Sequence, residues 1–354
     1  VKSLLITGGA GFVGSALALQ LKQMHPDCRL IAFDNLKRRG SELNLPRLRA
    51  AGVEFVHGDI RNKEDFDALP PVEAIIEASA EPSVLAGLTS APDYLINTNL
   101  SGTVNCLNYA RRHDAAFIFL STSRIYPINQ IEQIHLLEAD TRFELSAEQP
   151  FGGISPRGLA EDFPLEGYRS LYGATKLCSE YLIQEYHHFY KLRTAINRCG
   201  VLTGPWQMGK VDQGVVVLWV ARHLWQQPLG YFGFGGTGKQ VRDILHVDDL
   251  ADLVNFQLQH LDLVNGKTLN VGGGRDISVS LQELTAMCQR VTGHVVPITS
   301  QVENRQTDIA LYLSDATRVR ELTGWQPKRS AEQIVTDVYR WLRENEAQLK
   351  PLLA

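Results

Sequence analysis

The chain has 354 residues, 44% hydrophobic and 21% charged, a globular mix that excludes disordered, collagen-like and mucin-like classes. At roughly 150 residues per domain this length accommodates about two domains. Lys and Arg (35) nearly balance Asp and Glu (39), so a net charge of -4 provides no field to recruit nucleic acid or an anionic membrane, and an anionic ligand must be held locally.

The first predicted element is a buried strand over Ser3–Thr7, followed at once by Thr7-Gly8-Gly9-Ala10-Gly11-Phe12-Val13-Gly14 and an amphipathic helix over Phe12–Met24. Further strands are predicted at Arg29–Phe33, Val53–His57, Ala74–Ala78, Ala115–Ser121 and Arg193–Asn197, with helix-length segments at Pro92–Arg112 and Leu171–Tyr190. Strands alternating with helices imply right-handed crossovers and a parallel sheet covered on both faces, the doubly wound α/β (Rossmann) fold. Gly152, Gly153, Pro156, Gly158, Pro164 and Gly167 make Pro150–Tyr168 an ordered loop. After Asn197 the alternation weakens at Gly204-Pro205, Gly235-Gly236 and Gly272-Gly273-Gly274. Residues 1–200 with 240–262 are therefore expected to form the nucleotide-binding domain, and 201–239 with 263–354 a smaller substrate lobe.

No stretch approaches the ~20 apolar residues that span a bilayer, the longest being Val215 to Ala221. The N-terminus lacks a basic-then-apolar signal pattern, so a cytoplasmic location is expected. Five widely spaced cysteines read as reduced thiols without a disulfide framework. His187-His188 and His246 lack a third ligand at suitable spacing, so no metal site is expected.

The glycine turn has a physical purpose. Its backbone must bend tightly and approach a pyrophosphate, whose charge is met by the amides and the positive end of the following helix. Asp34 closes the second strand 20 residues after Gly14, where an acid accepts hydrogen bonds from ribose hydroxyls. Asp59 follows the third strand and is placed to meet adenine. An acid at 34 repels a 2′-phosphate, which favours NAD over NADP, and Lys37, Arg38 and Arg39 read as a solvated basic turn.

Of 11 tyrosines only Tyr172 has a lysine four positions on, Lys176, which puts both side chains on one helix face. A tyrosine acting as base must move its pKa from about 10 towards 7, roughly 4 kcal/mol. One ammonium at ~4.5 Å and effective dielectric about 20 supplies a similar amount, and a pyridinium ring adds to it, while desolvation opposes both. Ser121-Thr122-Ser123 ends a buried strand at the crevice edge, where a hydroxyl can hold the reacting oxygen.

These motifs, with Asn99 ahead of Gly102-Thr103, Arg198 ahead of Gly204-Pro205, the Gly238–Asp249 run, Asn270-Val271-Gly272, and Arg305 with Asp308, resemble the extended short-chain dehydrogenase/reductase family of nucleotide-sugar epimerases and dehydratases. The resemblance spans nearly the whole chain. It implies Tyr172 as general acid/base, Lys176 on the nicotinamide ribose, and Thr122 polarising the sugar oxygen. It also implies NAD contacts from Gly8, Gly11, Phe12, Val13, Gly14, Asp34, Asn35, Asp59, Ile60, Ala78, Ala80 and Asn99. The nucleotide-diphosphate sugar would meet Glu81, Ser123, Arg124, Val201, Gln213, Arg242 and Arg305, the two last gripping the diphosphate. A homodimer paired through about Asn97–Arg112 and Tyr172–Tyr190 is also implied.

Dehydratases of the family carry Asp-Glu just after the threonine, whereas this chain has Ser123-Arg124. Hydride removal and return therefore remains, and within the family the resemblance runs to the CDP-paratose (CDP-tyvelose) 2-epimerase group. UDP-hexose 4-epimerase, a nucleotide-sugar dehydrogenase or reductase, and an idle NAD-binding scaffold are the alternatives. Val201 stands where Asn is common, Pro127 where glycine is usual, and Glu77 where His commonly precedes the cofactor loop.

Overall fold

The computed structural model describes residues 1–88, 91–209, 214–304 and 307–353. Seven parallel strands form the main sheet. In chain order they are β1 (Ser3–Thr7), β2 (Arg29–Asp34), β3 (Glu54–His57), β4 (Ala74–Glu77), β5 (Ala116–Thr122), and the strands Thr194–Cys199 and Lys267–Val271. Across the sheet, Lys267–Val271 lies at one edge beside Thr194–Cys199, followed by β5, β4, β1, β2 and β3. The order reverses between β1 and β4, and a crevice opens there at the strands' carboxyl ends.

The strands are aliphatic on both faces because both are covered. One face packs helix α1 (Phe12–Met24) and helix Val247–Gln259 over Leu4, Ile6, Leu30, Ala32 and Ile76. The other packs helices Gly102–His113 and Leu171–Tyr190 over Leu5, Ile31, Ile75, Phe117 and Phe119. Both α1 and Leu171–Tyr190 have the predicted bounds. The long helix expected over Pro92–Arg112 is instead interrupted: α-helical Asp93–Ile96 and Gly102–His113 flank a π-helical turn, Asn97–Ser101. Inserted π turns of this kind cluster at functional sites, and this one carries Asn99.

The second lobe holds a four-stranded sheet in which Val241–His246 pairs with Val201–Thr203, Ser278–Ser280 and Leu311–Tyr312. The chain thus crosses between lobes differently from the expected division. Strand Val241–His246 serves the smaller sheet, whereas Lys267–Val271 returns to the main one. Within the expected loop Pro150–Tyr168, Ile154–Ser155 and Gly158–Leu159 pair as a short antiparallel hairpin. No described helix is long and apolar enough to cross a membrane. All five cysteines are unpaired.

Candidate active site

A cleft of about 710 Å³ runs along the carboxyl ends of the sheet, from Gly8–Gly14 and Asp34 at one end to Thr122, Tyr172 and Lys176 at the other. Its floor at the first end is α1, whose start has neither a side-chain cap nor an acidic residue in the first turn. The first-turn amides and the positive helix end therefore remain available to an anion in the cleft. Gly14 is dictated by packing, because a Cβ there would lie 2.1 Å from the Gly8 carbonyl oxygen. Asp34 accepts hydrogen bonds from the amides of Leu36 (2.7 Å) and Ala10 (3.1 Å), which locks the acid to the glycine turn. Burial pushes the Asp34 carboxyl above its ordinary pKa, and these amide bonds work against that rise. An uncapped helix start, a bound acid beside it and an elongated cleft fit an NAD molecule lying along the crevice.

Of the residues expected to touch NAD, Gly8, Gly11, Phe12, Val13, Gly14, Asp34, Asn35, Ile60, Ala78, Ala80, Tyr172 and Lys176 line the cleft. Two others sit behind its wall. The Asp59 carboxylate is committed to Arg61 (2.6 Å) and to the Asn35 side-chain amide (2.8 Å). Burial works to raise its pKa, but the Arg61 and Asn35 hydrogen bonds outweigh burial and hold it down to about 2. Asn99 is fully buried: its side-chain oxygen accepts from the Glu81 amide (2.8 Å), and its Nδ2 donates to the Glu81 carbonyl (3.1 Å) and the Thr175 hydroxyl (3.3 Å). Asn99 therefore braces the loop Ala78–Glu81 against helix Leu171–Tyr190. Its reach depends on the π turn, which no spacing in the sequence signals.

At the reactive end, Ser170 caps helix Leu171–Tyr190 by accepting from the Gly173 amide, so Tyr172 occupies the first turn. Gly173 allows that turn to press against the strand end, since a Cβ there would be 2.0 Å from the Arg124 carbonyl oxygen. Thr122 and Tyr172 line the same end of the cleft, and the Thr122 side chain acts to lower the pKa of the phenol. Lys176 has an almost fully buried side chain, with Nζ 3.8 Å from the Glu77 carboxylate and 3.8 Å from the centroid of the Phe119 ring. Burial pushes Tyr172 up to about 12, against the Thr122 side chain and the Arg124 charge, while Cys199 and Glu77 add to the rise. Without ligand the phenol is thus displaced away from the near-neutral value expected of a base. The reason is desolvation first, with Cys199 and then the Glu77 carboxylate adding to it.

Glu81, Ser123, Arg124 and Val201 line the same cleft. Arg124 donates to the Thr307 carbonyl (3.3 Å), and burial lowers its pKa. Arg242 lies behind the wall, ion-paired with Asp308 at 2.9 Å and donating to the Ile309 carbonyl at 2.7 Å, with burial pushing its pKa down to about 10. Gln213 and Arg305 lie outside the described residues. Beneath the site, Arg198 forms a buried 2.8 Å pair with Glu180, which also receives the Ser121 hydroxyl. Among the described residues no cluster of three metal-ligating side chains occurs.

At the Asp34 end, residues of the second lobe, Trp206 and Met208 among them, line the cleft. Arg38 donates to the Met208 carbonyl (3.1 Å), and the Arg47 guanidinium lies 4.0 Å from the centroid of the Trp206 ring.

Residues 4–272 match the NAD-dependent epimerase/dehydratase family. The chain is 31% identical over 347 residues to CDP-paratose 2-epimerase of Salmonella typhi, covering 96% of this chain and 98% of that one. It is 27% identical over 353 residues to dTDP-glucose 4,6-dehydratase of Mycobacterium tuberculosis, covering 99% and 96%. Among solved structures it is similar to DesIV, a dTDP-glucose 4,6-dehydratase from Streptomyces venezuelae with NAD and TYD bound. The TM-score is 0.79 at 26% identity, over 99% of both chains.

Proposed function

This chain belongs to the NAD-dependent epimerase/dehydratase family, and from that premise we propose that it epimerises a nucleotide-diphosphate sugar through a transient keto-sugar, in the manner of a CDP-paratose 2-epimerase. The single observation that carries the choice of reaction is the distribution of acids along the cleft. Among the described residues, its lining carboxylates are Asp34, at the adenosine end, and Glu81, whose Oε1 accepts from the Ser83 amide. The positions after Thr122 are Ser123 and Arg124. Elimination of water needs a second proton carrier beside the sugar, and the strand end supplies a cation instead. Tyr172 alone can then move a hydroxyl proton in both directions, which suffices for oxidation and return at one carbon.

Bound NAD supplies the hydride acceptor and donor. The α1 amides would hold its pyrophosphate, Asp34 its adenosine ribose, and Lys176 its nicotinamide ribose. Tyr172, ionised, takes the proton from the sugar hydroxyl, and Thr122 orients the oxygen that carries it. Rotation of the keto-sugar presents its other face, after which Tyr172 returns the proton. Arg124 stabilises the phenolate that this cycle requires.

The test is incubation of the purified protein with CDP-, UDP- and GDP-sugars without added cofactor, with stereochemistry followed by NMR. Inversion without net redox is the expected result. Stoichiometric reduced cofactor would identify a dehydrogenase instead.

The proposed assembly is a homodimer and the proposed location the cytoplasm. Tyr181, Phe189 and Tyr190 of helix Leu171–Tyr190 expose 51–68% of their surface, aromatic area that a second copy would cover. Light scattering with size-exclusion chromatography reads the mass. The unpaired cysteines accord with a reducing compartment.

A further inference from the structure

The reaction outlined above gives no part to Glu77, a buried acid beside Lys176. Glu77 ends β4, in register with Thr7 of β1 on one side and Phe119 of β5 on the other. Residues paired across parallel strands share a face, here the apolar face packed by helices Gly102–His113 and Leu171–Tyr190. The Glu77 side chain has no solvent exposure, and its Oε1 has no hydrogen-bond partner. A carboxylate in such a place is costly unless paired.

Its partners are few. The Thr103 hydroxyl lies 3.4 Å from Oε2, and Lys176 Nζ stands 3.8 Å away. That last distance makes an ion pair but is too long for a hydrogen bond, so the ammonium keeps its donors for the cleft. Lys176 lines the cleft and Glu77 does not, which places the acid on the far side of the ammonium.

We propose that Glu77 is a positioning residue for the epimerase reaction, holding Lys176 charged and in place from behind so that the ammonium can serve the cofactor ribose and Tyr172. The inference rests on the functional reading above. Burial acts to lower the Lys176 pKa and to raise that of Glu77, and each group opposes the shift of the other. The other titratable groups acting on the ammonium are Cys199, Glu180 and Cys106; Cys106 also interacts with Glu77, and Arg124 and Cys199 act with Glu77 on Tyr172. Replacing Glu77 by a neutral isostere leaves desolvation less opposed at Lys176, so the amine loses its proton at lower pH.

Competitive labelling of the ligand-free full chain with acetic anhydride across pH, read on the Lys176 peptide by mass spectrometry, gives the midpoint of that amine directly. Glu77→Gln is expected to lower the midpoint by about one to three pH units, and Glu77→Asp, which keeps the charge, to restore most of it. An unchanged midpoint in Glu77→Gln overturns the proposal. Should that variant fail to fold by circular dichroism, Thr103→Val, which removes a hydrogen bond to the carboxylate, is expected to shift the midpoint down by less. No shift there overturns the proposal equally. The alkaline limb of kcat must follow the labelling midpoint from variant to variant, and a fixed limb removes Glu77 from the reaction. If the wild-type chain turns over none of the nucleotide sugars, the epimerase reading fails while labelling still reports whether Glu77 sustains the ammonium.

Discussion

Thr122, the last residue of β5, and Tyr172, in the first turn of the helix that packs beside it, line one end of the cleft together, and the Thr122 side chain acts to lower the pKa of the phenol. The arrangement sets the proposed proton-transfer group beside a rigid strand end. Gly173 makes it possible by letting the helix start press on the Arg124 carbonyl. Precision of this kind is what oriented proton transfer needs.

Tyr172→Phe removes the proton carrier and little volume. Turnover is expected to fall by roughly 10²–10⁴-fold, the usual share of general acid–base catalysis. NAD affinity, followed by tryptophan fluorescence, is expected to stay near wild type, and unchanged turnover would remove Tyr172 from the chemistry.

The Tyr172 pKa should respond to ligation. Burial raises it to about 12 in the free protein, so the phenolate forms only in strong alkali. A cationic nicotinamide ring favours the charged phenolate and lowers that value. Activity then rises with pH through the lowered pKa, because the ionised form is the base. Ultraviolet difference titration of wild type against Tyr172→Phe, with and without NAD, reads the displacement. An upward shift on loading contradicts the assignment.

Gly14→Ala drives a methyl group against the Gly8 carbonyl oxygen, 2.1 Å from the ideal Cβ position. The backbone must yield, at about 1–3 kcal/mol for overpacking of this kind. NAD affinity is expected to drop together with the midpoint of urea unfolding, since the displaced turn is the one proposed to meet the pyrophosphate.

Arg198 and Glu180 form a buried pair at 2.8 Å with little side-chain exposure. Arg198→Met strands the carboxylate and is expected to cost about 3–5 kcal/mol in urea unfolding. Arg198→Met with Glu180→Leu should recover much of the loss, because neither charge then remains. A double variant as unstable as the single one would show that the pair itself supplies net stability.

The sequence resolves those parts of the fold whose cause is local. Runs such as Ser3–Thr7 and the apolar stripe of Phe12–Met24 carry their own period, and the glycine turn, Asp34 and the Tyr172/Lys176 spacing each follow from short-range geometry. What lies outside it is set by residues distant in the chain. Nothing in Pro92–Arg112 announces that its middle adopts a π turn, because the gain is Asn99 reaching Glu81 and Thr175. Asp59 sits at the right separation for adenine, yet Arg61 occupies its oxygens. Glu77 reads as a lone departure at a strand end until the sheet aligns it with Thr7 and Phe119 under Lys176. The same principle governs Val241–His246 and Lys267–Val271, two β-forming runs whose choice of sheet depends on the path of the chain between them.

The Arg38–Met208 and Arg47–Trp206 bridges fasten the two lobes at the end of the cleft remote from Tyr172. A dinucleotide in the place proposed for it would leave only once those bridges part, whereas a sugar at the opposite end would meet no such bridge. On that proposal, turnover and coenzyme exchange would run on separate clocks.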